Sequence, residues 1–183
     1  MFERITALFL LILFFPLILI ISIVIFIEDG FPVFFTQKRI GKNYTYFKIF
    51  KFRTMKKNTP NIATHLLKNP EKYILKVGGI LRKTSLDELP NLINIFNGDI
   101  VFVGPRPALY NQEDLMIYRI ATGVDKLKPG ITGWAQINGR DNISIEKKVQ
   151  FEQEYLNRKS FLFDIEIIYK TFLKVIFRKG VSH

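Results

Sequence analysis

Apolar and polar positions divide the chain into an unbroken hydrophobic stretch followed by shorter patterned segments. From Ile5 to Ile27 no charged residue occurs, and only Thr6, Pro16 and Ser22 interrupt the apolar run. At ~1.5 Å per residue a helix of that length can span the ~30 Å hydrocarbon layer, and hydropathy alone fits a single-span anchor. A cleaved signal peptide fits poorly, because the run is long, Arg4 is offset by Glu3 and no small-residue cleavage site follows. Pro16 stands at the midpoint and removes the hydrogen bond to the carbonyl of Ile12, which favours a bend. Each arm of about eleven residues then reaches only ~16 Å, about one leaflet, so a re-entrant hairpin also fits.

Beyond the run, residues 33–40 and 44–54 are rich in β-branched and aromatic residues, and Gly41-Lys42-Asn43 between them predicts a β-hairpin. Period-two alternation in the second arm puts Lys51 and Arg53 on the face of Phe47 and Ile49. Residues 56–72 are polar with two prolines and read as a loop or short helix, and 73–83 as a short helix. Leu89, Leu92, Ile93 and Phe96 fall at i, i+3, i+4 and i+7, an amphipathic helix ended by Gly98. A short buried strand is expected at 100–103 and helices at 111–122 and 144–157. Near the end, Glu166, Lys170, Lys174 and Arg178 form one stripe on a helix otherwise covered by apolar residues. That helix suits either a protein core or a membrane interface, and the preceding apolar run favours the interface. No repeat, low-complexity tract or dividing linker is present. The expected architecture is mixed α/β and helix-rich, with a membrane segment at 1–30 and one small domain at 31–183.

Charge sharpens this picture. Residues 1–30 carry a net −2 and the remaining 153 residues +13, for +11 overall. So basic a domain suits an anionic partner such as nucleic acid, phospholipid headgroups or a phosphorylated substrate. Cysteine is absent, which excludes disulfides, thiol nucleophiles and thiolate metal sites. Only His65 and His183 exist, so a His-rich metal site is excluded as well. Carboxylates must supply any acid, base or nucleophilic chemistry.

Asp87 and Glu88 immediately precede the 89–96 helix. Ser85-x-x-Glu88 has capping-box spacing, and Asp87 could itself be an N-cap with Pro90 in the first turn. A helix N-terminus also attracts phosphate and keeps a carboxylate ionised, as a nucleophile must be. Arg106 lies between Pro105 and Pro107, where it is either a surface residue on a rigid turn or a guanidinium preorganised for bidentate phosphate contact. In the glycine-turned stretch 129–140, Gln136, Asn138 and Arg140 could wrap a nucleotide, or Trp134 could simply be core. Lys51 and Arg53 are further candidates for phosphate, against the ordinary role of solvated strand cations.

Three runs, SLDELPNLINIFNGD at 85–99, VFVGPRP at 101–107 and KPGITGWAQINGR at 128–140, follow one another at short spacing behind the apolar segment. Together they resemble the catalytic core of the bacterial sugar transferases, the monotopic phosphoglycosyl transferases, along nearly the whole chain. The resemblance implies transfer of a phosphosugar from a UDP-sugar to polyprenol (undecaprenyl) phosphate at the cytoplasmic face of a bacterial inner membrane, with release of UMP. It also implies that Asp87 is the nucleophile that forms an aspartyl-phosphosugar, and that Glu88 helps bind Mg²⁺ or manage the acceptor's proton. Lys51, Arg53, Arg106, Gln136, Asn138 and Arg140 would serve the donor, and Asp87 with Glu88 the metal. The family's re-entrant helix favours a hairpin kinked at Pro16. Membrane phospholipids are expected partners, a second copy of the chain is a candidate, and nucleic acid is not expected. Two further classes stay open: a non-catalytic membrane scaffold whose Asp-Glu pair is a cap, and a tethered nucleic-acid-binding module. No RRM, KH or helix-turn-helix pattern supports the latter, and the aromatics cluster in apolar faces.

Overall fold

The computed structural model describes residues 1–60, 69–139 and 143–177. Helix α1, Phe2–Asp29, takes up the whole apolar run as one element with Pro16 inside it. Only Ala7, Ile21 and Ile25 of α1 are buried, while most of its other large apolar side chains are exposed. Among the described residues it is the one helix long and apolar enough to cross a membrane. Its two ends are both held by the rest of the chain. At the start, Arg4 Nη2 donates to the carbonyl of Asn97 at 3.0 Å, passing where a Cβ on Gly98 would collide with it. At the end, Glu28 accepts from the backbone N–H groups of Lys76 and Val77 at 2.5 and 3.1 Å, and Asp29 pairs with Arg53.

Strands β1, Phe34–Ile40, and β2, Tyr46–Phe52, form the expected antiparallel hairpin, in register from Phe34↔Phe52 to Ile40↔Tyr46. The connection is five residues, 41–45, with Asn43 and Tyr44 both at positive φ, rather than the three residues the sequence suggests. Helix α2, Lys76–Thr84, ends where Ser85 turns left-handed (φ 57°), and a single 3-10 turn, Leu86–Glu88, leads into α3, Asn91–Asn97. Gly98 closes α3 at φ 86° by donating to Asn94 and Ile95, as its place in the sequence predicts.

The buried face of α3 is not the one periodicity names. Asn91, Leu92, Asn94 and Ile95 are buried, whereas Phe96 is exposed. Asn94 explains the rotation. Its side chain accepts from Phe50 N at 3.0 Å and donates to the carbonyl of Lys48 at 2.7 Å and to Asp99 at 3.0 Å, pinning the helix to β2. Three satisfied hydrogen bonds offset the cost of burying one amide.

Next come β3, Val101–Val103, the two-residue β4, Ala108–Leu109, and α4, Glu113–Thr122. They are followed by β5, Gly130–Thr132, and the short α5, Trp134–Asn138. Helix α6, Ile145–Arg158, is capped by Ser144, and α7, Phe161–Ile176, by Ser160. Strand β4 extends the hairpin sheet in the order β2-β1-β4, while β3 and β5 pair in parallel. The architecture is thus a helix-rich mixed α/β domain carrying a long apolar N-terminal helix.

Two of the core clusters lie against α1. Ala7 packs with Leu92, Ile95 and Ile100, while Ile21 and Ile25 pack with Val33, Phe52, Leu75 and Leu81. Full burial of side chains such as these contributes about 1.5–3 kcal/mol each. Helix α7 buries Phe163 and Ile167, while Phe161, Leu162, Ile165, Ile168, Tyr169 and Phe172 stay exposed on its opposite side. The described part of its charged stripe turns back onto the protein: Lys170 pairs with Glu166 and sits over Trp134, and Lys174 donates to the carbonyl of Ile137.

Candidate active site

The two carboxylates that the sequence puts forward sit in the 3-10 turn between α2 and α3. Neither works as a helix cap. The turn has no side-chain cap, and α3 begins at Pro90 without one. Asp87 and Glu88 are therefore held side by side on a tight turn without capping α3. Glu88 Oε1 lies 2.6 Å from Lys51 Nζ of β2, a half-buried ion pair. Burial, and then the charge of Glu88, push the Asp87 carboxyl up to about 6 from an ordinary 3.8, while Lys51 and Arg82 pull it down. At neutral pH Asp87 is thus ionised yet more basic than a free carboxylate, which suits a nucleophile. Arg82, one turn back on α2, donates to Thr54 Oγ1 at 2.9 Å, and burial lowers its own pKa despite the charge of Asp87.

Beside Glu88, next to Asp87 in the chain, lies an open cleft. Lys51, Glu88, Asn91, Arg39 and Arg106 line it over a floor that includes Ile49, Ile100 and Ile131. Three cations around the Glu88 carboxylate and an apolar floor describe a place for an anion with an organic tail. Arg106 reaches it from the turn after β3. That turn and residues 128–133 are one physical unit. A Cβ on Gly130 would come within 2.1 Å of the backbone nitrogen of Gly104, and one on Gly133 within 2.1 Å of its carbonyl oxygen. Only glycine allows these backbones to approach so closely.

Not every candidate converges here. Arg53 is 7% exposed, and its guanidinium bonds Asp29 and the carbonyls of Pro32, Asp29, Gly30 and Met55, fastening the end of α1 to the hairpin. Gln136 stands behind the cleft, donating to the carbonyl of Ile131 at 2.9 Å, with its Oε1 buried and unpartnered. Asn138 is exposed and bonds the carbonyl of Trp134 within α5. Arg140 lies outside the described residues. Trp134 donates to Glu154 at 2.8 Å and packs on Phe163, so it belongs to the α5–α7 packing.

Two residues of the cleft escape sequence reasoning. Arg39 on β1 donates to the carbonyl of Pro107 at 3.0 Å and to Gln37 at 2.6 Å. Asn91 is 2% exposed, and its Oδ1 has no hydrogen-bond partner among the described residues. Strand alternation gave no reason to prefer Arg39 over its neighbours, and Asn91 occupies a helix position that pattern alone assigns to the polar side.

Among the described residues no group of three or more metal-ligating side chains assembles. Mg²⁺ does not require one: it takes one or two carboxylates and completes its shell with water and substrate phosphate. The adjacent Asp87 and Glu88 fit such a site.

Residues 1–178 match the bacterial sugar transferase family. The chain belongs to that family. It is 40% identical over 182 residues to the uncharacterized sugar transferase EpsL of Bacillus subtilis, covering all of this chain and 89% of the relative. It is 35% identical to the exopolysaccharide production protein ExoY of Rhizobium meliloti, covering 98% and 85%. It is also 37% identical to the UDP-glucose:undecaprenyl-phosphate glucose-1-phosphate transferase of Escherichia coli, covering 97% of this chain but 40% of that longer protein. The chain is therefore an enzyme of the sugar transferase class, and its apolar N-terminal helix fits membrane association.

Proposed function

We propose that the protein transfers a phosphosugar from a UDP-sugar to undecaprenyl phosphate, with Asp87 as the nucleophile. The observation that carries this reading is the Asp87–Glu88 pair, held on a 3-10 turn that it does not cap, beside a cleft of three cations. A carboxylate oxygen of Asp87 attacks the β-phosphorus of the donor, and the bond from that phosphorus to the bridging oxygen breaks. UMP leaves with the bridging oxygen and its electron pair, and the sugar phosphate stays on Asp87 as an acyl phosphate. An oxygen of undecaprenyl phosphate then attacks the same phosphorus, freeing the Asp87 carboxylate and yielding the lipid diphosphosugar. Lys51, Arg39 and Arg106 lie where they can receive the phosphates, and Arg106 can do so bidentately. Asn91 Oδ1 offers an acceptor to a donor hydroxyl or a bound water. Asp87 and Glu88 would hold Mg²⁺, whose charge when bound would favour departure of the nucleotide.

The relatives' printed activities supply the donor and acceptor classes. A re-entrant α1 is supported by its contacts. One small domain holds Arg4 at the beginning of the helix and Glu28 and Asp29 at its end, and it packs on Ala7, Ile21 and Ile25 between them. A straight transmembrane path would draw that basic domain through hydrocarbon, where charged groups are costly. Both ends of α1 then belong on the cytoplasmic face, where nucleotide sugars are found.

The test mixes purified protein with donor alone and follows its mass. An added phosphosugar, removed by hydroxylamine and absent from Asp87→Asn, supports the nucleophile, and UMP as the released nucleotide supports phosphosugar transfer. Release of UDP would mean ordinary glycosyl transfer. An essential Asp87 that forms no adduct would instead mean direct transfer between the two bound substrates.

A further inference from the structure

The turn that carries Arg106 cannot hold itself in place. Pro105 and Pro107 have no N–H, so the turn has three carbonyl oxygens and one donor of its own. Each carbonyl is taken by a donor from a different element. Pro105 O accepts from Gly130 N at 2.8 Å, Arg106 O from Arg119 Nη2 at 2.9 Å, and Pro107 O from Arg39 Nη1 at 3.0 Å. Arg119 comes from α4, and its fork also spans the carboxylate of Glu152 on α6, with Nε to Oε2 at 2.8 Å and Nη2 to Oε1 at 2.5 Å. The pair is among the most buried charges of the fold, at 4% and 2% exposure. A buried ion pair is a poor source of stability, because desolvation offsets the attraction and an apolar pair of similar volume often serves the fold as well. An apolar pair could not donate to the carbonyl of Arg106.

We propose that Arg119, oriented by Glu152, is a positioning residue for the transfer reaction: it clamps the backbone of Arg106 so that the guanidinium meets the donor phosphates in fixed register. The clamp rests on the reading of Arg106 as a phosphate-binding residue. Arg119 is too buried to touch substrate and acts only through Arg106. Glu152 neutralises it and fixes its plane, so that one nitrogen can serve both the carboxylate and the carbonyl.

A double-mutant cycle tests the clamp. The variants are Arg106→Ala, the paired swap Arg119→Met with Glu152→Leu, and all three changes together, each assayed for melting temperature and for kcat/KM with the UDP-sugar. The paired swap is expected to keep the wild-type melting temperature yet lower kcat/KM about 10- to 100-fold, the scale of loss when a reacting group is misplaced by ~1 Å. In the Arg106→Ala background the swap should cost nothing further, since nothing is left to position. Arg119→Lys, with one point donor in place of a fork, should fall between. Full activity of the swap beside an impaired Arg106→Ala would overturn the clamp and leave the phosphate reading intact. Losses that multiply in the triple variant would overturn it too, because the pair would then act on the fold. An Arg106→Ala protein with undiminished kcat/KM would refute the phosphate reading itself, and the clamp with it. If the swap does not fold, Arg119→Lys takes its place in the cycle and the same outcomes decide.

Discussion

Replacing Asp87 with Asn is expected to abolish turnover and to stabilise the protein at the same time. Burial and the neighbouring Glu88 raise the Asp87 carboxyl from 3.8 to about 6. A carboxyl whose pKa is higher folded than unfolded holds its proton more tightly when folded, so ionising it works against the fold. That penalty is small near pH 4, grows as pH rises between the two values, and is complete above the folded one. A gap of about two pH units corresponds to about 3 kcal/mol at ~1.36 kcal/mol per unit. Residual solvent around a half-buried side chain reduces this to about 1–2 kcal/mol. Asn keeps the shape and removes the charge, so the variant should recover that amount. For a chain of this size ~1 kcal/mol moves the melting temperature by about 2–4 °C. Asp87→Asn should therefore melt roughly 3–6 °C above wild type at pH 7.5, measured in detergent with EDTA so that no divalent cation masks the repulsion. The advantage should shrink by about half at pH 5 and to about a fifth near pH 4, and vanish only below about pH 3, where wild-type Asp87 is protonated in both states. A variant no more stable than wild type at pH 7.5, or an advantage independent of pH, would refute the reasoning.

Three further outcomes follow from the same cleft and helix. Glu88→Gln removes the partner of Lys51 and half of the proposed metal site. It should lower kcat at least ~100-fold and raise the Mg²⁺ concentration needed for half-maximal rate, measured by UMP release in a magnesium titration. Asn91→Leu replaces the unpartnered Oδ1 with an apolar side chain of similar size and should cut kcat/KM about tenfold with no loss of melting temperature; unchanged kinetics would remove Asn91 from the donor site. A cysteine placed next to Met1 should react with an impermeant reagent only after the inner membrane is breached, and labelling of intact spheroplasts from outside would favour a spanning α1.

The candidate site is legible in the sequence where chemistry and local backbone coincide. The Asp-Glu pair, the proline-flanked Arg106, the hairpin carrying Lys51 and the glycine stop at Gly98 all depend on neighbours within a few residues. What the sequence hid depends on contacts far along the chain. Arg39 looks like any strand cation until β4 brings Pro107 beside it, and Arg53 looks like a phosphate ligand until the end of α1 closes over it. Asn91 and Asn94 stand one turn apart with the same side chain. Only the approach of β2 makes one of them a fully bonded strut and leaves the other with an idle acceptor. Periodicity placed Phe96 in the core because it weighs apolar character, and the hydrogen bonds of Asn94 outweighed it.

The apolar helix α1 and the Asp87–Glu88 pair share their scaffolding in this fold. Helix α2 has no side-chain cap of its own; the carboxylate of Glu28, from the last turn of α1, takes its first free N–H groups. The far end of α2 is the left-handed Ser85 that delivers Asp87 and Glu88. A parallel path runs from Asp29 to Arg53 and, through the adjoining Thr54, to Arg82, whose charge is felt by Asp87. The dyad is thus referenced to the end of the membrane helix by a capped helix on one side and a buried guanidinium on the other. A soluble enzyme could place two carboxylates on any rigid turn. On the proposed reading Asp87 is the nucleophile and the acceptor phosphate lies at the depth of a lipid headgroup. The nucleophile must then be held at a set height above the bilayer, and clamping the dyad's own helix to the apolar helix α1 is a direct way to set that height.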